Sequence, residues 1–169
     1  MLGAALLVAA GGAAGMMVAR EYSKRPGELR SLLSAIRMLE TEILYAATPL
    51  ADALERVAAG SERTAAGLFG KAAGELMSKK VCTAGEAWER ALNWSYQRNS
   101  LTRKDMAILK SLGMALGISD REDQAKHLKF ACEQLSLELA RAEEAAEKNT
   151  KMWNYLGFCG ALVVTIILY

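Results

Sequence analysis

The chain has 169 residues, of which 52% are hydrophobic, with a mean hydropathy of +0.09 and a formal net charge of +2. Its 21 basic and 19 acidic residues all fall between Arg20 and Lys151, so a charged middle is bracketed by two uncharged, apolar ends. That layout excludes a simple soluble globule and a polytopic transporter. A middle of one domain's length argues against a multidomain enzyme, and the small net charge against a nucleic-acid footprint.

Residues 1–19 read MLGAALLVAAGGAAGMMVA. As a helix they would extend about 28 Å, close to the thickness of a hydrocarbon core. A cleaved secretory signal needs a basic region before its apolar stretch. Here Arg20, Lys24 and Arg25 follow it instead, so a retained transmembrane helix is expected, with the middle of the chain on the cytoplasmic side. At the other end, 152–169 forms a second expected span. Lys148 and Lys151 precede it, and Trp153, Tyr155 and Tyr169 stand where interfacial aromatics would. Both basic flanks face the middle domain, so the two spans agree on one topology. Gly11 with Gly15, and Gly157 with Ala161, have the spacing that lets helices approach closely in lipid. Small residues are also simply common in such helices. Three cysteines, at 82, 132 and 159, make no CxxC pair, which fits free thiols in a reducing compartment.

Between the ends, 20–151 is punctuated entirely by helix signals. After Pro26, Leu29, Leu32, Ile36, Leu39 and Ile43 recur at alternating steps of three and four, an apolar seam. Thr48–Pro49 predicts a stop and a new start, with Thr48 as N-cap and Gly60 closing the helix. Ser61 is the expected cap of the next helix, to about Met77. Thr83 with Glu86 forms a capping-box pattern ahead of Ala87, Trp88, Ala91 and Leu92. Thr102 with Asp105 opens a helix carrying Met106, Leu109, Leu112 and Leu116, closed by Gly117. Asp120 with Asp123 opens the last and longest, uninterrupted by Gly or Pro from Arg121 to Leu156. Its seam is Leu128, Cys132, Leu135, Leu139, Ala142 and Ala146, while Glu138, Arg141, Glu144 and Lys148 are expected on a solvated face. The expected fold is all-α: a six-helix cytoplasmic bundle flanked by an N-terminal and a C-terminal transmembrane helix.

Catalytic signatures are lacking. There is no Walker-type phosphate loop, no metal-ligand spacing and no marked nucleophile–base pair, so no enzymatic activity, cofactor, metal or small-molecule substrate is expected. His127 is the only histidine and shares a helix face with Asp120 and Gln124. Glutamine is a poor ligand for metals that favour histidine. A structural polar network is therefore expected of the three, with Asp120 capping its helix and the others bonding to a neighbouring helix or loop. Lys79–Lys80 and Arg103–Lys104 form small basic points with Trp94 and Tyr96 between them. Aromatic residues at this spacing are expected in the core, not on nucleic acid.

Two stretches are more specific than periodicity. One runs Arg25-Pro26-Gly27-Glu28-Leu29-Arg30, then Leu39-Glu40-Thr41-Glu42-Ile43-Leu44-Tyr45 to Thr48-Pro49-Leu50. The other is Leu112-Gly113-Met114-Ala115-Leu116-Gly117-Ile118-Ser119-Asp120, followed by Gln124 and His127. With an apolar segment at each end, the chain resembles the stage III sporulation protein AB family of endospore-forming bacteria. The resemblance extends over essentially its whole length, and 60–99 contributes least to it. It implies a part in the complex that joins the mother cell to the engulfed forespore, at the mother-cell membrane. It also implies likeness to the inner-membrane platforms of type II secretion and type IV pilus machines. The implied role is a non-enzymatic platform that docks a secretion-type ATPase, stage III sporulation protein AA, to other membrane subunits of the channel. A purely structural scaffold of the same complex, without ATPase contact, is the alternative. Candidate partner contacts are Arg30, Arg37, Glu40, Glu42 and Tyr45. Each also has an ordinary structural reading, as an ion pair or as packing near the Thr48–Pro49 turn.

Overall fold

A computed structural model describes residues 24–46, 48–78, 83–117 and 120–168, the last sixteen of them as backbone alone. Among these residues there are six helices: α1 over 24–44, α2 Leu50–Gly60, α3 Arg63–Met77, α4 Ala84–Tyr96, α5 Arg103–Ala115 and α6 Arg121–Leu168. No strand occurs among the described residues. The chain divides into two compact units, Gly27–Leu139 and a second made of Met1–Pro26 with Ala140–Tyr169.

In the first unit consecutive helices pack on one another, α2 on α3, α3 on α4 and α4 on α5. The α1 seam is wholly internal: Leu29, Leu32, Ile36, Leu39 and Ile43 are all buried. Side-chain links hold α1 to the rest of the unit. Glu28 accepts from the Ser100 backbone N–H (2.7 Å), and Ser31 donates to the Glu62 carbonyl (3.0 Å). Glu42 accepts from the Thr48 hydroxyl (2.9 Å) and faces Arg56 of α2 (3.4 Å).

A buried tryptophan marks the contact between α4 and α5. Trp88 is buried edge-on against Phe69, with ring centroids 5.2 Å apart, and its indole N–H donates to the Leu109 carbonyl (2.7 Å). Gly113 makes room for this ring, since a Cβ there would run into the indole. Asp105, fully buried, accepts from the Thr102 N–H (2.8 Å) while Thr102 Oγ1 accepts from the Asp105 N–H (3.3 Å). The helix start expected at Thr102 with Asp105 is therefore a capping box, closed in both directions. At Thr83 the hydroxyl accepts from the Glu86 N–H (3.2 Å), and at Asp120 the carboxylate accepts from the Asp123 N–H (2.8 Å). Gly117 turns the chain out of α5 with φ +77°, a left-handed conformation that costs a Cβ-bearing residue.

Several expectations are corrected. Thr48 does not cap α2. Its hydroxyl is committed to Glu42, and Pro49 holds the N-cap position without a side-chain bond. Ser61 does not cap α3; its backbone N–H bonds to the Ala58 carbonyl at the end of α2, and its hydroxyl is buried without a partner. Glu62 takes the N-cap position, and Arg63 follows with φ +24°. Glu138 is not on a solvated face. It is 5% exposed and takes an ion pair from Lys104 of α5 at 2.7 Å. Trp94 and Tyr96 are not core, at 39% and 45% exposed, because the buried side of α4 is set by Ala87, Trp88, Ala91 and Leu92. α6 continues unbroken beyond Leu156 to Leu168. In the second unit Ala142 is buried and Glu147 pairs with Lys151 at 2.6 Å.

Among the described residues no helix is long and apolar enough to cross a membrane. The expected span 1–19, with Gly11 and Gly15, lies outside the described residues. Gly157 and Ala161 lie on the α6 backbone, where side chains are not described.

Candidate docking surface

A second row of residues runs along α1 beside its apolar seam. Arg30, Ser34, Arg37 and Thr41 follow at steps of four, three and four, and all four are exposed. Both rows alternate steps of three and four, displaced by one or two residues, so a single helix presents an apolar face inward and a polar face outward. This row forms one wall of a cleft of about 520 Å³, with Leu33 and Met38; Ser136 and Leu139 of α6 form the other. The structure thus joins two of the candidate contacts, Arg30 and Arg37, in one cleft.

Arg37 reaches across toward α6. Burial pushes the Cys132 thiol up, while the Arg37 guanidinium, by charge and hydrogen bond, pulls it back down. Glu40, half-buried, adds negative charge beside the same thiol. The other candidates separate. Glu42 is occupied at the α1–α2 turn by Thr48 and Arg56. Tyr45 is 83% exposed and does not pack on the Thr48–Pro49 turn.

Asp120 performs the capping role expected of it, and the Gln124 backbone N–H bonds to its carbonyl (2.9 Å). His127 is exposed. It lines a smaller cleft of about 290 Å³ between α5 and α6 with Lys104, Ile108 and Phe130. Two features escaped sequence reasoning. The Glu138–Lys104 pair joins helices far apart in sequence, and no local pattern marks it. Arg98 lies over the Trp94 ring at 4.6 Å and donates to the Trp94 carbonyl (2.7 Å). Its i, i+4 spacing from Trp94, just past the end of α4, was the available signal. Among the described residues no group of three or more His, Cys, Asp or Glu could hold a metal ion.

Comparison with known proteins agrees with the helical architecture. A sequence model of the stage III sporulation protein AB family matches residues 1–169. The chain belongs to that family. It is similar to stage III sporulation protein AB of Bacillus subtilis (strain 168), with 36% identity over 168 residues, 99% of this chain and 98% of the relative. A solved structure of stage III sporulation protein AB superimposes with a TM-score of 0.68 at 35% identity, covering 73% of this chain and 97% of that one. The family places the chain in sporulation, and its helical body shares a fold with the solved member.

Proposed function

We propose that the chain is a non-enzymatic membrane platform of the mother cell–forespore channel complex. In this reading 1–19 and 152–169 span the mother-cell membrane and the helical body lies on the cytoplasmic side. The body docks a secretion-type ATPase, the stage III sporulation protein AA type, to other membrane subunits. The observation that carries it is the course of α6. This one helix holds core positions Leu128 and Leu135 and continues without a break into the uncharged segment after Lys151. A helix of 48 residues is far longer than a bundle of this size needs. An uncharged extension of that length suits a bilayer better than water.

Two measurements test the reading. A Leu2→Cys chain in sporulating cells should react with an impermeant thiol reagent from outside the mother-cell membrane; protection would overturn the topology. Full-length chain in nanodiscs should capture the ATPase in the presence of nucleotide. No capture with oligomeric ATPase would leave a scaffold role in place of the platform.

A further inference from the structure

The outward line of α5 is Lys104, Ala107, Ser111 and Met114, at steps of three, four and three, and all four are exposed. Its middle is made of small residues, and Lys104 is drawn aside to Glu138 of α6 at 2.7 Å. A groove lies on each side of this low ridge. Toward α4 there is one of about 330 Å³, lined by Leu92, Met106 and the ring of Tyr96. Toward α6 there is one of about 290 Å³, lined by Ile108, Leu112 and the ring of Phe130. Ala107 lines both, so the two grooves are halves of one surface. Tyr96 and Phe130 are both exposed, so each groove has an aromatic wall open to solvent.

Charge marks one end of this surface. Lys104 is taken by Glu138, and Lys110 by Glu89 of α4 at 2.6 Å. Arg103 is exposed and makes no ion pair or hydrogen bond among the described residues. It lines the α4-side groove with Lys110, seven residues and roughly 10.5 Å further along α5. One unmatched cation therefore stands at one end, and a neutral pair closes the other.

We propose that this face of α5 receives an amphipathic helix of a partner protein, with its apolar stripe along the ridge and a carboxylate at the Arg103 end. Ala107 and Ser111 let the partner's backbone come close, while its side chains drop alternately into the two grooves, as ridges do between packed helices. The grooves flank a single helix, about 10 Å apart, which is the width of the helix that would fill both. Arginine accepts a carboxylate on its planar fork, so the single charge fixes direction while the apolar stripe supplies affinity. A second copy fits less well. A twofold contact would lay ridge on ridge and leave both grooves empty, and Glu89 and Glu138 are already taken. A lipid surface would touch the ridge and fill neither groove. That the partner is a channel subunit rests on the platform reading; the surface does not.

The direct probe is a stapled helical peptide with leucines at i, i+3, i+4 and i+7 and a glutamate one turn beyond the stripe, made with the glutamate at either end. Full-length chain in zwitterionic nanodiscs should bind one of the two versions. Arg103→Glu should weaken that binding roughly tenfold, and an acidic residue in the first turn of α5 leaves the helix intact. Ala107→Trp raises the ridge without changing any charge and should weaken binding comparably. Equal binding of a peptide with the same residues reshuffled, equal binding by wild type and both variants, or no binding, overturns the proposal. In sporulating cells, p-benzoylphenylalanine in place of Ala107 should crosslink to a different protein, at a helical segment bearing such a stripe. No crosslink, or crosslinks only to lipid or to a second copy of the chain, also overturns it. The two readings fail separately. Peptide bound without ATPase capture removes the platform and keeps the α5 surface; ATPase captured while the peptide stays unbound does the reverse.

Discussion

The α4–α5 contact and the α1–α6 contact are built from the same material and finished differently. At the first, a buried tryptophan fills the gap between helices, its N–H is satisfied by a carbonyl, and a glycine clears the space for it. An outer groove of about 330 Å³ remains beside it, bridged by Lys110 and Glu89 at 2.6 Å. At the second, short and flexible side chains meet, a cleft of about 520 Å³ stays open, and two arginines stand at it. Close packing stabilises but leaves nothing to bind within it. A cleft forfeits contacts and keeps a surface available to a partner.

The comparison breaks first at Trp88. Trp88→Ala removes the ring from a fully packed site and should cost about 3–5 kcal/mol of stability in denaturant unfolding. A loss well below that would mean α4 and α5 are held by something else. Gly113→Ala attacks the same contact from the other side by forcing a methyl into the indole. The expected cost is about 1–3 kcal/mol, read as a lower midpoint at unchanged slope. Thr102→Ala opens the capping box ahead of α5 and should cost about 1 kcal/mol by the same measurement. On the open side the prediction reverses. Arg30→Ala should leave stability within about 0.5 kcal/mol, because the side chain is exposed at a cleft and fills no core space. A larger loss would make the cleft a structural joint.

The finest distinction lies in pH dependence. A hydrogen bond from Lys71 of α3 (2.6 Å) is the main cause that holds the Glu75 carboxyl below its usual value; desolvation opposes it, and the charges of Lys71 and of Arg90 of α4 (3.6 Å) add to it. A carboxyl whose folded value is depressed contributes stability above its unfolded value and loses it as pH falls through the folded one. The melting temperature should therefore fall through the acid range more steeply for wild type than for Glu75→Gln. Parallel curves would show that this exposed pair adds nothing.

Much of this could be read from residue order. The α1 seam, the Thr102–Asp105 box and the Asp120 cap are local patterns, and each formed as expected. Local signals failed where a residue had two possible partners. Thr48 and Ser61 are good caps in isolation, but Glu42 claims the first and the end of α2 claims the backbone of the second. Glu138 looked solvated because its helical neighbours are charged, while its partner Lys104 comes from α5. Of the five candidate contacts, only Arg30 and Arg37 line the large cleft, since a shared helix face is visible in sequence and the opposing helix is not.

The sequence by itself determined the helices, the caps of α4, α5 and α6, and the uncharged ends, because hydrogen bonding within a helix and hydrophobic periodicity act over a few residues. Only the tertiary structure decided which polar side chains are buried and paired, that Gly113 exists for Trp88, and that the outer face of α1 overlooks a cleft. Those outcomes depend on what a second helix brings within a few ångströms, and packing between distant segments leaves no trace in local order.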